Sequence, residues 1–471
     1  MKSWLRWLAV ANLCLIRIWV ELLAYPEWPF NRDYAPPDGS HYLAAVALCV
    51  ILSVIFWLAF YKAGFKLRIL MAAVIILLIS KELFMALSSL GLFERSNIAA
   101  IIPWFPVLIP AAVAACVYGL RRLNRPNLER WTEGSATALI PLIGLTFGQS
   151  AWIMRNPPPA NPGNGRHINA ATDYVAKKRV VWMVVDELDE RVAFSERRGD
   201  FKLPELDRFR KEASFVALQA KSPSNETALS IPSMFNGQPA KEFHKLHRTI
   251  FHELREKNLR TALVGWYIPY CPQIGAVLEV CEWWPYARQH NSYGEGFLNI
   301  VRGNAISLVE SHQLSPFGQT LTNRKHAQQV AELMHVATAA ASRADLDFVF
   351  LHLPHPHSPF IFDPKSGTPT AVPHPPDAPG YYRNLQWADS AFSTIRCEME
   401  KAGLWDRSIV LVTGDHGFRD AAKLGYEMRD RHVPFMLKTN TALQADPKAP
   451  FETLHTAALL KDLLTRAEPV P

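Results

Sequence analysis

Long apolar runs fill the first third of the chain, and no other feature narrows its fold as much. Five windows, about Leu5 to Ala24, Tyr42 to Tyr61, Ile69 to Leu90, Ile101 to Leu120 and Ala136 to Met154, each approach the length of a membrane-spanning helix. A span needs roughly 20 apolar residues to cross the hydrocarbon core. Basic residues crowd alternate connections: Lys2 and Arg6 before the first run, Lys62, Lys66 and Arg68 after the second, Arg121, Arg122, Arg125 and Arg130 after the fourth. Positive charge stays on the cytoplasmic side, so the N-terminus is expected inside and everything after the fifth run outside. The same placement accounts for the net charge of +7, and no nucleic-acid partner is expected. Two charge pairs interrupt the runs, Arg17 with Glu21 and Lys81 with Glu82. Each charge costs roughly 2.5 to 3.5 kcal/mol near the bilayer centre, so these side chains snorkel, pair between helices, or meet a lipid headgroup.

A chain of 471 residues exceeds one ordinary domain. Residues 1–154 are expected to form a membrane domain of five helices and 155–178, RNPPPANPGNGRHINAATDYVAKK, a linker rich in turn formers. Residues 179–471 are expected to form a separate globular domain. That part opens with RVVWMVVDE, a continuous apolar run with the pattern of a strand buried on both faces. Helical and strand patterns then alternate through TALVGWYI, LDFVFLHL and RSIVLVTGDHG, which predicts a doubly wound α/β domain whose chemistry lies beyond the carboxyl ends of its strands.

The chemistry-bearing residues fall there. Asp186 and Glu187 follow one strand, Asp415 and His416 another, and carboxylates with an imidazole suit a divalent cation such as Zn²⁺ or Mn²⁺. A single acid at a strand end also serves as a cap or turn former. Thr227, in SPSNETALSIPSMFNG, is placed to open a short helix, either as a plain cap or as a nucleophile whose hydroxyl needs a cation to become reactive. In LHLPHPHSPFIFD, three histidines, His352, His355 and His357, leave a strand on a proline-stiffened loop, with His357 the one singled out for function. Cys271 and Cys281 either pair in an oxidising compartment or remain thiols.

These motifs together resemble the alkaline phosphatase superfamily, in its sulfatase-like branch of membrane phosphoethanolamine and phosphoglycerol transferases, which includes lipoteichoic acid synthase. The resemblance implies five N-terminal helices followed by an extracytoplasmic α/β/α sandwich, in a multi-pass protein of the bacterial inner membrane with its catalytic domain periplasmic. It implies Asp186 as a metal ligand with Glu187 as its rival, Thr227 as nucleophile and ligand, Asp415 and His416 as a metal pair, and His357, with His355, at the substrate. The segment after DHG reaches RHVPFML quickly, and His432 is expected there as a phosphate contact. The implied reaction moves a phospho-headgroup from a phospholipid donor, through a phosphothreonine, to an envelope glycan or lipid. Two rivals stand beside it, a sulfatase or phosphoesterase-type hydrolase and a non-catalytic membrane sensor. The chain lacks the Cys/Ser-x-Pro-x-Arg pattern from which true sulfatases make formylglycine, and Pro223 and Ser233 stand near the threonine where lipid A transferases usually carry disulfide cysteines.

Overall fold

The computed structural model describes residues 2–23, 39–62, 64–89, 118, 133–134, 136–156, 167–242, 245–284, 297–309, 316–370, 378–426, 430–440 and 446–466. They fall into two compact units, one of residues 1–160 with 288–318, the other of 161–287 with 319–471.

The first unit is helical, with helices Lys2–Cys14, Ile16–Leu23, Gly39–Lys62, Phe65–Ser89 and Ile140–Arg155. Two stretches, Gly39–Phe60 and Ala136–Arg155, are long and apolar enough to cross a membrane, and Leu67–Ser80 is a shorter apolar helix. The fourth expected span lies outside the described residues apart from Tyr118. Five expected spans thus narrow to two that meet the test of length and composition among the described residues. The charges inside the runs pair across helices: Arg17 Nε lies 3.2 Å from Glu82 Oε2, both side chains buried. A buried ion pair of this kind links two helices more than it stabilises them. The unit also takes in the apolar helix Phe297–Val309, whose Leu308 packs with Leu15, Trp19 and Ile153. The boundary expected at residue 179 is therefore not the only one; a later segment returns because its apolar face is buried among the N-terminal helices.

The strands, in chain order, are β1 (His167–Ile168), β2 (Arg179–Val185), β3 (Phe215–Val216), β4 (Ala220–Lys221), β5 (Thr261–Trp266), β6 (Val280–Trp284), β7 (Phe348–Leu353), β8 (Phe362–Asp363), β9 (Thr368–Pro369), β10 (Ser408–Gly414), β11 (Phe435–Lys438) and β12 (Phe451–Glu452). Eight form one sheet in the order β1-β6-β5-β7-β2-β10-β11-β3, whose central run from β6 to β10 is parallel. The antiparallel β1 lies inside the stretch expected as linker, so His167 and Ile168 of that stretch form the sheet edge.

Alternation along β2 explains why the run is apolar throughout. Val181, Met183 and Val185 face one core and Val180, Trp182 and Val184 the other, all buried. The first core is closed by helices Pro204–Glu212, Pro316–Ala341 and Ala378–Lys401, the second by Thr227–Asn236, Ile250–Glu256 and Thr456–Thr465. This is a three-layer α/β/α arrangement. The register pairs Gly414 with Val185 and Val184 with His352, so Asp415 and Asp186 follow side by side at the carboxyl edge, with His352 on the next strand.

Candidate metal centre and nucleophile

Three elements bring four side chains to that edge, and a fifth joins them. Asp186 leaves β2, Asp415 and His416 leave β10, and Thr227 opens the helix Thr227–Asn236; all four are buried. The fifth is His352, inside β7 and fully buried. Its parity with Phe348 and Phe350 turns it to the same face of the sheet as Thr227's helix. The expectation fixed on His357, in the loop that follows β7; strand parity in FVFLHL was the signal that marked His352.

The polar atoms are already apportioned. Asp415 Oδ1 accepts the backbone N–H groups of Glu187 at 3.0 Å and His416 at 2.8 Å, leaving Oδ2 without a hydrogen-bond partner among the described residues. Asp186 Oδ2 accepts the indole N–H of Trp266 at 3.1 Å, and Oδ1 lies 3.5 Å from Thr227 Oγ1. His416 Nδ1 lies 2.7 Å from the Gly417 carbonyl. A carbonyl only accepts, so Nδ1 carries the proton and the Nε2 lone pair faces Thr227 Oγ1, 3.1 Å away. The end of β10 just before Asp415 packs against Leu188 because Gly414 has no Cβ, which would come within 2.6 Å of the Leu188 carbonyl.

One oxygen from each of Asp186 and Asp415 and one ring nitrogen of His352 lie within 4.8 Å of one another. Buried carboxylates and an imidazole set this close, with Asp415 Oδ2 and His352 Nε2 lacking hydrogen-bond partners among the described residues, fit a divalent cation. Electrostatics agree. Burial, reinforced by the Asp415 and Glu187 carboxylates, pushes the Asp186 carboxyl well above the usual carboxylate range. Burial acts the same way on Asp415, and the Glu187 N–H that it accepts works against burial by favouring the charged form. Two carboxylates in one dry site repel, and a cation is the natural relief.

The remaining residues named from sequence lie around this centre. Glu187 adopts a left-handed backbone (φ 62°), with its carbonyl receiving the Tyr381 hydroxyl at 2.6 Å, and its carboxylate sits 3.6 Å from Arg419 rather than in the Asp186–His352–Asp415 group. His357 is half-buried, 2.6 Å through Nδ1 from the Ser358 carbonyl, and burial pushes its titration below the ordinary histidine value, with Glu187 acting against this and Arg419 with it. His355 is not brought to the cluster: it is fully buried and stacks on Trp387 at 4.2 Å. His432 is engaged by Asp430 and bridges to Lys221. Arg419, not anticipated, spans Glu187, Glu226 at 3.3 Å and His416 Nε2 at 3.4 Å. Cys271 and Cys281 form a disulfide.

The sulfatase family model matches residues 178–458. Among solved structures, Ps i-CgsB is 12% identical over 62% of this chain and 73% of its own, with a TM-score of 0.43. The phosphonate monoester hydrolase of Agrobacterium radiobacter is 12% identical over 61% of this chain and 73% of its own, TM-score 0.40. BT1596, a 2-O GAG sulfatase, is 11% identical over 62% and 72%, TM-score 0.42. No curated protein matches. The matched stretch takes in every parallel strand and all five side chains gathered at their carboxyl edge, and the chain belongs to the sulfatase family, in the alkaline phosphatase superfamily.

Proposed function

We propose that the chain is a membrane-anchored, cation-dependent transferase that moves a phospho-headgroup, phosphoethanolamine or phosphoglycerol, from a phospholipid to an envelope glycan or lipid through Thr227. The observation that carries this reading is the position of Thr227: buried at a helix N-terminus, its hydroxyl 3.1 Å from an unprotonated His416 nitrogen and 3.5 Å from Asp186. Helix-terminal amides and dipole favour an incoming anion there. In the first half-reaction the Thr227 Oγ1–P bond forms while the bond from phosphorus to the lipid alcohol breaks. The hydroxyl proton passes to Asp186 Oδ1, 3.5 Å from Oγ1, and from there to the oxygen of the departing lipid alcohol. In the second, the acceptor hydroxyl attacks phosphorus and Thr227 is regenerated, with His357 orienting a phosphate oxygen. A bound cation would supply charge stabilisation for the phosphate oxygens and lower the pKa of the hydroxyl.

Asp186, His352, Asp415 and His416 would hold that cation. Each carboxylate has one oxygen already bonded to protein N–H groups, so few oxygens and two nitrogens are offered, which favours Zn²⁺ or Mn²⁺ over Ca²⁺. The apolar helices and the disulfide support a membrane anchor with the catalytic domain on the oxidising, periplasmic side of a bacterial inner membrane. Tethering raises the effective concentration of a lipid donor.

A second reading, hydrolysis of a sulfate or phosphate ester, is favoured by the family match itself. Intact mass of the purified protein after exposure to membrane lipids separates the two. A phospho-headgroup adduct that disappears in Thr227→Ala is expected; ester turnover that survives Thr227→Ala without any adduct would overturn the transferase reading.

A further inference from the structure

His352 Nδ1 lies 2.8 Å from the Tyr270 hydroxyl, and both side chains are fully buried. The contact admits two proton arrangements. Either the phenol donates to a lone pair on Nδ1 and the ring proton sits on Nε2, or Nδ1–H donates to the phenol oxygen and Nε2 keeps its lone pair. With Nδ1 taken by Tyr270, Nε2 is the nitrogen left to face the Asp186 and Asp415 oxygens. It makes no hydrogen bond to them or to any other described residue. A protonated Nε2 beside two carboxylates would draw one into a hydrogen bond, whereas a lone pair is held off and awaits a cation.

Tyr270 is held in place from several sides. Its ring packs 6.1 Å from both Phe235 and Phe350. It also fills the space left by Gly265 in β5, where a Cβ would overlap it. The next residue, Cys271, is bonded to Cys281 of β6.

We propose that Tyr270 is a positioning residue that fixes His352 with an unprotonated Nε2 toward the cation site. The Cys271–Cys281 disulfide holds Tyr270 there, so the centre reaches full cation affinity only in a chain whose disulfide is closed. The inference rests on the cation reading of the Asp186–His352–Asp415 group and goes beyond it.

The test is Zn²⁺ binding alone, by calorimetry or chelator competition, on the full-length chain in detergent. Wild type binding no tighter than Asp415→Asn removes the cation reading itself. With that reading intact, Tyr270→Phe is expected to lose about 10- to 100-fold in affinity, as loss of a partner behind a metal-bound histidine does, with unchanged far-ultraviolet dichroism. Cys271→Ala/Cys281→Ala is expected to lose a similar factor, and the triple variant no more than Tyr270→Phe, because both changes act through one hydroxyl. Affinity of Tyr270→Phe within about twofold of wild type overturns the role of Tyr270; a triple variant losing the product of the two factors overturns that of the disulfide. Nitrogen-15 spectra of histidine-labelled, metal-free wild type, assigned with His352→Gln, need no folded Tyr270 variant. They are expected to show His352 protonated on Nδ1, and the opposite tautomer refutes the proposal.

Discussion

At the scale of single residues, the histidines divide by what surrounds them. His352 and His416 face carboxylates at the sheet edge, whereas His326 and His355 are buried among Trp266 and Trp387, and burial pushes both of the latter down to about 3. The sign follows from linkage. An unfolded histidine titrates near 6.5, so between that value and about 3 the unfolded chain binds two protons that the folded one refuses. Stability is therefore expected to fall as pH drops from about 6.5, by up to about 2.7 kcal/mol per pH unit for the two groups. Denaturant midpoints between pH 4 and 7 check this, and His355→Gln is expected to halve the slope contributed by the pair. Among the three loop histidines the sequence singled out His357. What separates them is a strand parity, which was legible, and an indole stack from a distant helix, which was not.

The elements at the edge are held by groups that do no chemistry. Asp189, fully buried, accepts the Phe418 N–H at 3.1 Å and the Arg191 guanidinium at 2.8 Å, pinning the turn after His416 to the turn after β2. Asp189→Ala leaves Arg191 buried with its main partner gone, a loss of about 3 to 5 kcal/mol. The expected result is a lower melting temperature and faster amide exchange over Gly417–Arg419. Unchanged exchange there would mean the turn holds itself. Asp200→Ala, at an exposed pair with Arg198, is expected to do little. The motifs VVWMVVDE and VLVTGDHG announced their strands and the acids after them because a strand buried on both faces has almost no freedom in its composition. The start of the nucleophile's helix was legible from Thr227, and Gly237 ends it in a left-handed turn. Trp266 and Tyr270, which steady Asp186 and His352, were not, since TALVGWYIPY reads as an ordinary strand and its exit.

For the whole molecule, the sequence conveyed an apolar first third and an α/β remainder, but not that the chain returns to its first unit at residues 288–318. A single apolar helix of thirteen residues within a globular stretch looks like any core helix. Its placement makes a prediction. A fragment beginning at Asn161 keeps Phe297–Val309 but loses the helices that bury Leu308, so it is expected to aggregate without detergent. Replacing 288–318 by a short Gly/Ser connection is expected to yield a monodisperse soluble domain, as size-exclusion chromatography would show; equal solubility of both fragments would argue against it. The same return bears on release of the domain by proteases. The two units are joined by three strands of polypeptide, so one cleavage in the proline-rich stretch near residue 160 severs a single tie and leaves the other two, and shedding the domain takes three cuts.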